Sequence, residues 1–124
     1  MSERSVVYIV DDDEAVRDSL RLLLEMHGFT TRTYASGAAF LHELPMQEKG
    51  CLLIDVNMPG VGGIELLSQL RAREMMMPVI VMTGGPIGKA RPAAERAGAT
   101  LLEKPFRPDE LMNSVRKAMG CDSL

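Results

Sequence analysis

The sequence predicts an α/β domain: a doubly wound, five-stranded parallel sheet with helices on both faces. Three observations predict it. Short apolar, β-branched runs alternate with segments whose apolar residues recur at helical spacing, and the alternation repeats five times. Every run except the second ends on a chemically reactive residue. Glycine and proline mark most passages from one pattern to the other. Alternating strands and helices build a parallel sheet covered on both sides, and the crossovers of such a sheet are right-handed. A strand order of 2-1-3-4-5 places strands one and three side by side at the topological switch point, where ligands bind.

The elements follow in order. Val6-Val7-Tyr8-Ile9-Val10 has the composition of a buried strand and runs into Asp11-Asp12-Asp13-Glu14. Those acids suit the positive end of a helix dipole, and Val16, Leu20, Leu23 and Leu24 form an apolar face behind them. Gly28 follows His27 as the residue that ends this helix. Phe29 to Tyr34 is the second strand. Ser36 caps a helix with Phe40, Leu41 and Leu44 on its apolar face, and Pro45 stops it. Cys51 to Ile54 is the third strand, delivering Asp55 to a Met58-Pro59-Gly60 turn. Ile64, Leu67 and Leu70 mark the third helix, with Met75-Met76-Met77 expected to plug the core beneath strand four. Val79 to Met82 is that strand, ending on Thr83. Arg91-Pro92 interrupts the next helical segment. A proline inside a helix costs about 3 kcal/mol and disfavours helix at the residue before it. The expectation is a fourth helix starting near Pro92, with residues 84–91 as a loop. Leu101 and Leu102 form a short fifth strand ending at Glu103-Lys104-Pro105-Phe106. Pro108 opens a last helix carrying Leu111, Val115 and Met119.

Bulk properties narrow the function classes. A chain of 124 residues fits one core, and 46% apolar with 25% charged residues is ordinary for a globular protein. Net charge is −3, from 14 basic and 17 acidic residues, which argues against direct nucleic-acid binding. Cys51 and Cys121 have neither metal-ligand nor disulfide-framework spacing. No apolar stretch reads as a signal peptide or a membrane span, so the expected setting is the cytoplasm. Ten methionines and no tryptophan suggest an adaptable aliphatic core. His27 and His42 are expected on exposed helix surfaces, without a catalytic part.

The strand ends supply a constellation. Strand one offers Asp11 and Asp12, strand three Asp55, strand four Thr83 and strand five Lys104. In the predicted fold they converge on one edge. Clustered carboxylates resist joint ionisation, and a hard divalent cation such as magnesium relieves that cost with carboxylate, carbonyl and water ligands. Aspartate is a nucleophile that forms aspartyl-phosphates. Phosphoryl transfer needs charge compensation above all, which an ammonium at Lys104 supplies. The Thr83 hydroxyl can donate to a phosphoryl oxygen.

Taken together, Val10-Asp11-Asp12-Asp13, Asp55-Val56-Asn57-Met58-Pro59-Gly60, Met82-Thr83-Gly84, Gly98-Ala99 and Glu103-Lys104-Pro105-Phe106 closely resemble the receiver domain of bacterial two-component response regulators, of the FixJ type. The resemblance covers about residues 5–119 and makes residues 1–124 one receiver unit of flavodoxin-like (CheY-like) fold. It implies that Asp55 takes phosphate from a phosphohistidine on a sensor histidine kinase. It implies magnesium, with manganese as a substitute, on Asp11, Asp12, Asp55 and the backbone carbonyl of Asn57. It implies that Thr83, Gly84 and Lys104 hold the phosphoryl group and switch with it, and that the Lys104-Pro105 peptide is cis. It also implies a homodimer on phosphorylation, with transcription as output where a DNA-binding domain follows, although the Arg91-Pro92 interruption falls in the region the family uses for partner contacts. Leu101 departs from the family, which places an aromatic switch residue there.

Two other classes compete. A pseudo-receiver would keep the fold and bind partners without phosphate, as Leu101 and the broken fourth helix suggest. A magnesium-dependent phosphatase of the haloacid dehalogenase-like group shares the Asp-x-Asp spacing of Asp11 and Asp13, but Ala15 stands where that motif wants Thr or Val.

Overall fold

The protein is described here by a computed structural model covering residues 6–44, 48–58, 60–84 and 87–120, without the side chains of residues 87–90. Among the described residues ten elements alternate: β1 (Val6–Val10), α1 (Glu14–Met26), β2 (Thr30–Tyr34), α2 (Gly37–His42), β3 (Gly50–Asp55), α3 (Gly63–Ala72), β4 (Val79–Thr83), α4 (Ile87–Arg96), β5 (Thr100–Glu103) and α5 (Pro108–Met119). The five strands form one sheet in the order β2-β1-β3-β4-β5, and all pairs are parallel. This is the architecture the alternation predicts.

Period-two alternation explains how the central strands bury both faces. Val7, Ile9, Cys51, Leu53, Ile80 and Met82 point to one side, where Leu20 and Leu24 of α1 and Leu111, Met112 and Val115 of α5 cover them. Val6, Tyr8, Val10, Leu52, Ile54, Val79 and Val81 point to the other, beneath Phe40 of α2 and Leu66, Leu67 and Leu70 of α3. Leu102 belongs to the first layer and Leu101 packs against the second. The exposed His27 lies at the α1 C-cap and the exposed His42 in the last turn of α2.

Three expectations change. α4 does not start at Pro92: it spans Ile87–Arg96 with Pro92 inside it. Proline removes one donor, here the one that would reach the Gly88 carbonyl. The Pro92 side chain is exposed, and buried Ala94 docks the helix, so tertiary packing outweighs the lost bond. Of the methionine run, Met75 and Met77 pack against the second core layer while Met76 is 73% exposed, so two of the three do the plugging. β5 is longer than the leucine pair and includes Thr100 and Glu103. Pro45, Pro59, Gly85 and Cys121 lie outside the described residues.

Cys51 sits fully buried in the middle of the sheet, and burial pushes its thiol from the ordinary 9.0 up to about 12. The unfolded chain therefore releases this proton above pH 9 while the folded chain keeps it. Stability that is complete below pH 9 is lost as pH rises through this window, at about 1.4 kcal/mol per unit. The expected result is that the stability difference between the wild type and Cys51→Ala, read from urea midpoints, shrinks steadily above pH 9. A difference constant up to pH 11 contradicts it.

Candidate functional site

The carboxyl ends of β1, β3, β4 and β5 meet at one rim. Asp55 is the last residue of β3 and only 6% exposed, and the ladder continues past it through Val56 N–H to the Met82 carbonyl at 2.9 Å. Backbone bonds on both sides of Asp55 fix its Cα. Gly63, the first residue of α3, lies against the same backbone, and a Cβ there would stand 2.6 Å from the Asp55 carbonyl oxygen. The helix can approach this closely only without a side chain.

The acidic run after β1 divides its labour. Asp13 is the N-cap of α1, and its Oδ1 accepts from the amides of Ala15 at 2.9 Å and Val16 at 3.3 Å. The Asp13 amide donates to Asp11 Oδ1 at 2.9 Å, which fixes the buried Asp11 carboxylate. Asp11 Oδ2 is the one buried side-chain oxygen without a hydrogen-bond partner among the described residues. Asp12 is exposed at the mouth. Ligand oxygens of Asp11, Asp12 and Asp55 lie within 4.8 Å of one another.

Charge explains what this cluster lacks. Burial pushes the Asp11 carboxyl above its usual range, and the nearby Asp55 and Asp12 charges push the same way; the Asp13 amide and Lys104 oppose them. Lys104 reaches in from the end of β5, with Nζ 3.2 Å from Asp55 Oδ1. Lys104 thus pairs with Asp55 and acts on the Asp11 charge. A buried Asp11 oxygen without a partner among the described residues, on an acid whose ligand oxygen lies within 4.8 Å of those of Asp12 and Asp55, fits a divalent cation, so the residues present could hold one.

Thr83 ends β4 one residue past the Asp55–Met82 pairing and is 2% exposed. Its carbonyl accepts from the Lys104 amide at 2.7 Å, tying the two strand ends together. Gly84 lies along the Lys104 stem, where an added Cβ would stand 3.6 Å from Lys104 Cδ. The Lys104-Pro105 peptide is cis, as expected. Asn57 is exposed two residues beyond Asp55, and Leu101 is half-buried in the second core layer, paired with Val81. The sequence reading misses the contacts of Arg17 and Gly63, and it places Gly63 with Gly60 and Gly62 in a flexible loop, whereas Gly63 opens α3. Arg17 Nη1 donates to the Asp11 carbonyl at 2.7 Å and so holds the turn that carries two of the acids. An arginine one turn into an acid-led helix was the available signal.

Residues 7–116 match the family described as response regulator receiver domain. The chain belongs to that family. The transcriptional regulatory protein FixJ of Azorhizobium caulinodans is 44% identical over 121 residues, covering 97% of this chain and 57% of the relative. FixJ of Bradyrhizobium diazoefficiens is 39% identical, over 96% of this chain and 58% of the relative. The crystal structure of FixJ-N superposes with a TM-score of 0.89 at 36% identity and covers 99% of each chain. The response regulator StyR gives 0.88 at 35% identity, over 94% of this chain and 60% of the other. The receiver thus spans somewhat more than half the length of the curated FixJ relatives. Receiver domains of this family are regulatory switches in phosphorylation-based two-component signalling, and the family implies a sensor kinase partner. No helix among the described residues is long and apolar enough to cross a membrane.

Proposed function

We propose that this receiver is phosphorylated on Asp55 by the phosphohistidine of a sensor histidine kinase, and that one receiver unit over about residues 5–119 carries the whole reaction. The observation that supports it most is the pairing of Lys104 Nζ with Asp55 Oδ1 at 3.2 Å, beside the unpartnered Asp11 oxygen. Asp55 supplies the attacking oxygen, and the N–P bond of the donor breaks as the O–P bond forms. Lys104 compensates charge on the phosphoryl oxygens, and the Thr83 hydroxyl donates to one of them. Asp11, Asp12, Asp55 and the Asn57 carbonyl would hold magnesium, or manganese in its place, which would supply further neutralisation of phosphoryl charge. The Asp13 cap and the Arg17 hydrogen bond keep the acids in place before the donor arrives.

The modification biases a two-state equilibrium. Thr83 and Gly84 move toward the new phosphate, and α4 begins three residues beyond Gly84. Leu101 offers no aromatic ring to swing, so the signal passes through backbone shifts at the start of α4. The outcome is altered self-association or partner binding. Where a DNA-binding segment belongs to the full protein, the output is transcription. Among the described residues nothing favours a phosphate-independent module, because the acidic pocket is complete.

The test is intact mass after incubation with acetyl phosphate and magnesium, with size-exclusion chromatography of both forms. The wild type is expected to gain one phosphoryl group, and Asp55→Asn none. A gain that survives Asp55→Asn contradicts the assignment.

A further inference from the structure

We propose that an apolar cleft beside Asp55 is a subsite for the acyl group of small acyl phosphates, so that the receiver takes phosphate preferentially from donors with a bulky apolar acyl group. This rests on Asp55 being the phosphoacceptor. The cleft has a volume of about 480 Å³ and is lined by Val16, Gly84, Lys104, Pro105 and Phe106. It opens where the first turn of α1, the end of β4 and the turn after β5 come together.

Two of its walls also belong to the reactive site. Lys104 places Nζ 3.2 Å from Asp55 Oδ1, and its stem runs beside Gly84. Lys104 thus lines the cleft and also reaches Asp55, which sets the cleft next to the position a transferring phosphoryl group would occupy. The other walls are apolar. Val16 and Phe106 are half-buried against the core layer under α1 and α5, and Pro105 is exposed at the edge. A donor with an anionic head and an apolar tail matches this division. Its phosphoryl group meets the Lys104 ammonium, and its tail covers Val16, Pro105 and Phe106. A donor without a tail leaves those walls in water.

The reaction balances without another reactant. An Asp55 carboxylate oxygen bonds to phosphorus as the bond from phosphorus to the acyl oxygen breaks. The acyl carboxylate leaves with the electron pair, one carboxylate replaces another, and no proton moves. An apolar pocket discriminates by about 10- to 200-fold per methylene, and an open cleft belongs at the lower end.

The experiment compares rates of Asp55 phosphorylation by benzoyl phosphate and acetyl phosphate, in the wild type and in Phe106→Ala. Dividing the two rate ratios cancels the intrinsic reactivity of the donors. The benzoyl-to-acetyl ratio is expected to be about tenfold lower in Phe106→Ala, at the low end of apolar discrimination; equal ratios overturn the proposal. Because Phe106 also packs on the core, a second measurement uses the wild type alone. Benzoylphosphonate, whose P–C bond cannot transfer, should shift the amide resonances of Val16, Gly84 and Phe106 at concentrations where acetylphosphonate does not. Identical shifts from both compounds overturn it. If neither acyl phosphate modifies Asp55, the phosphoacceptor assignment fails first and the subsite fails with it.

Discussion

Lys104→Ala is expected to slow phosphorylation of Asp55 by about a hundredfold to a thousandfold, the usual loss when one preorganised electrostatic partner is removed from a developing charge. The basis is geometric. Among the described residues Lys104 is the one cation placed on the Asp55 carboxylate, and its amide is bonded to the Thr83 carbonyl, so its position is set by two strand ends. The ammonium also restrains the Asp11 carboxyl from rising further, so the variant is expected to depend more steeply on magnesium. The measurement is the rate of mass gain with acetyl phosphate across a magnesium titration. Lys104→Arg is expected to recover part of the rate, since the charge remains while the shape changes. A Lys104→Ala rate within threefold of wild type would mean that the ammonium is a surface charge and no part of the reaction.

Gly63→Ala is expected to damage both the fold and the site. The added Cβ would stand 2.6 Å from the Asp55 carbonyl oxygen and 2.8 Å from the Val56 Cα. Both are backbone atoms on a strand that is paired on each side, so neither yields cheaply. Overpacking of this kind costs about 1–3 kcal/mol. The displaced Asp55 should also lose phosphorylation rate at temperatures where the variant is fully folded. Gly50→Ala is the control, because its Cβ would collide with the Val6 carbonyl at the opposite end of β3. That variant should lose stability as well, yet keep the phosphorylation rate of the molecules that fold. Urea midpoints and phosphorylation rates, measured on both variants, separate the two effects. Equal rate losses in both would show that Gly63 acts only through stability.

The positions that sequence reasoning found and missed differ for a physical reason. Buried parallel strands carry uninterrupted apolar runs, so β1, β3 and β4 stand out, and the residue after each run is delivered to the rim by the strand itself. Asp11, Asp55 and Thr83 were legible on that ground, and Lys104 followed from the turn after β5. α4 was misjudged because local propensity at Arg91-Pro92 is a weak prior beside packing through Ala94. Arg17 and Gly63 act on backbone atoms of Asp11 and Asp55 across a turn and a loop, beyond helical or strand spacing, and no periodic pattern reveals such contacts. That Asp13 caps α1 and holds Asp11 through its amide needed the hydrogen bonds themselves.

The central claim is that one carboxylate among three receives the phosphoryl group. An aspartyl-phosphate is an acyl phosphate, and borohydride reduces it to homoserine at the modified position alone. The wild type, phosphorylated with acetyl phosphate in magnesium, reduced, digested and sequenced by tandem mass spectrometry, should carry homoserine at position 55 and intact aspartate at positions 11 and 12. Homoserine at position 11 or 12, with aspartate retained at 55, would contradict the account.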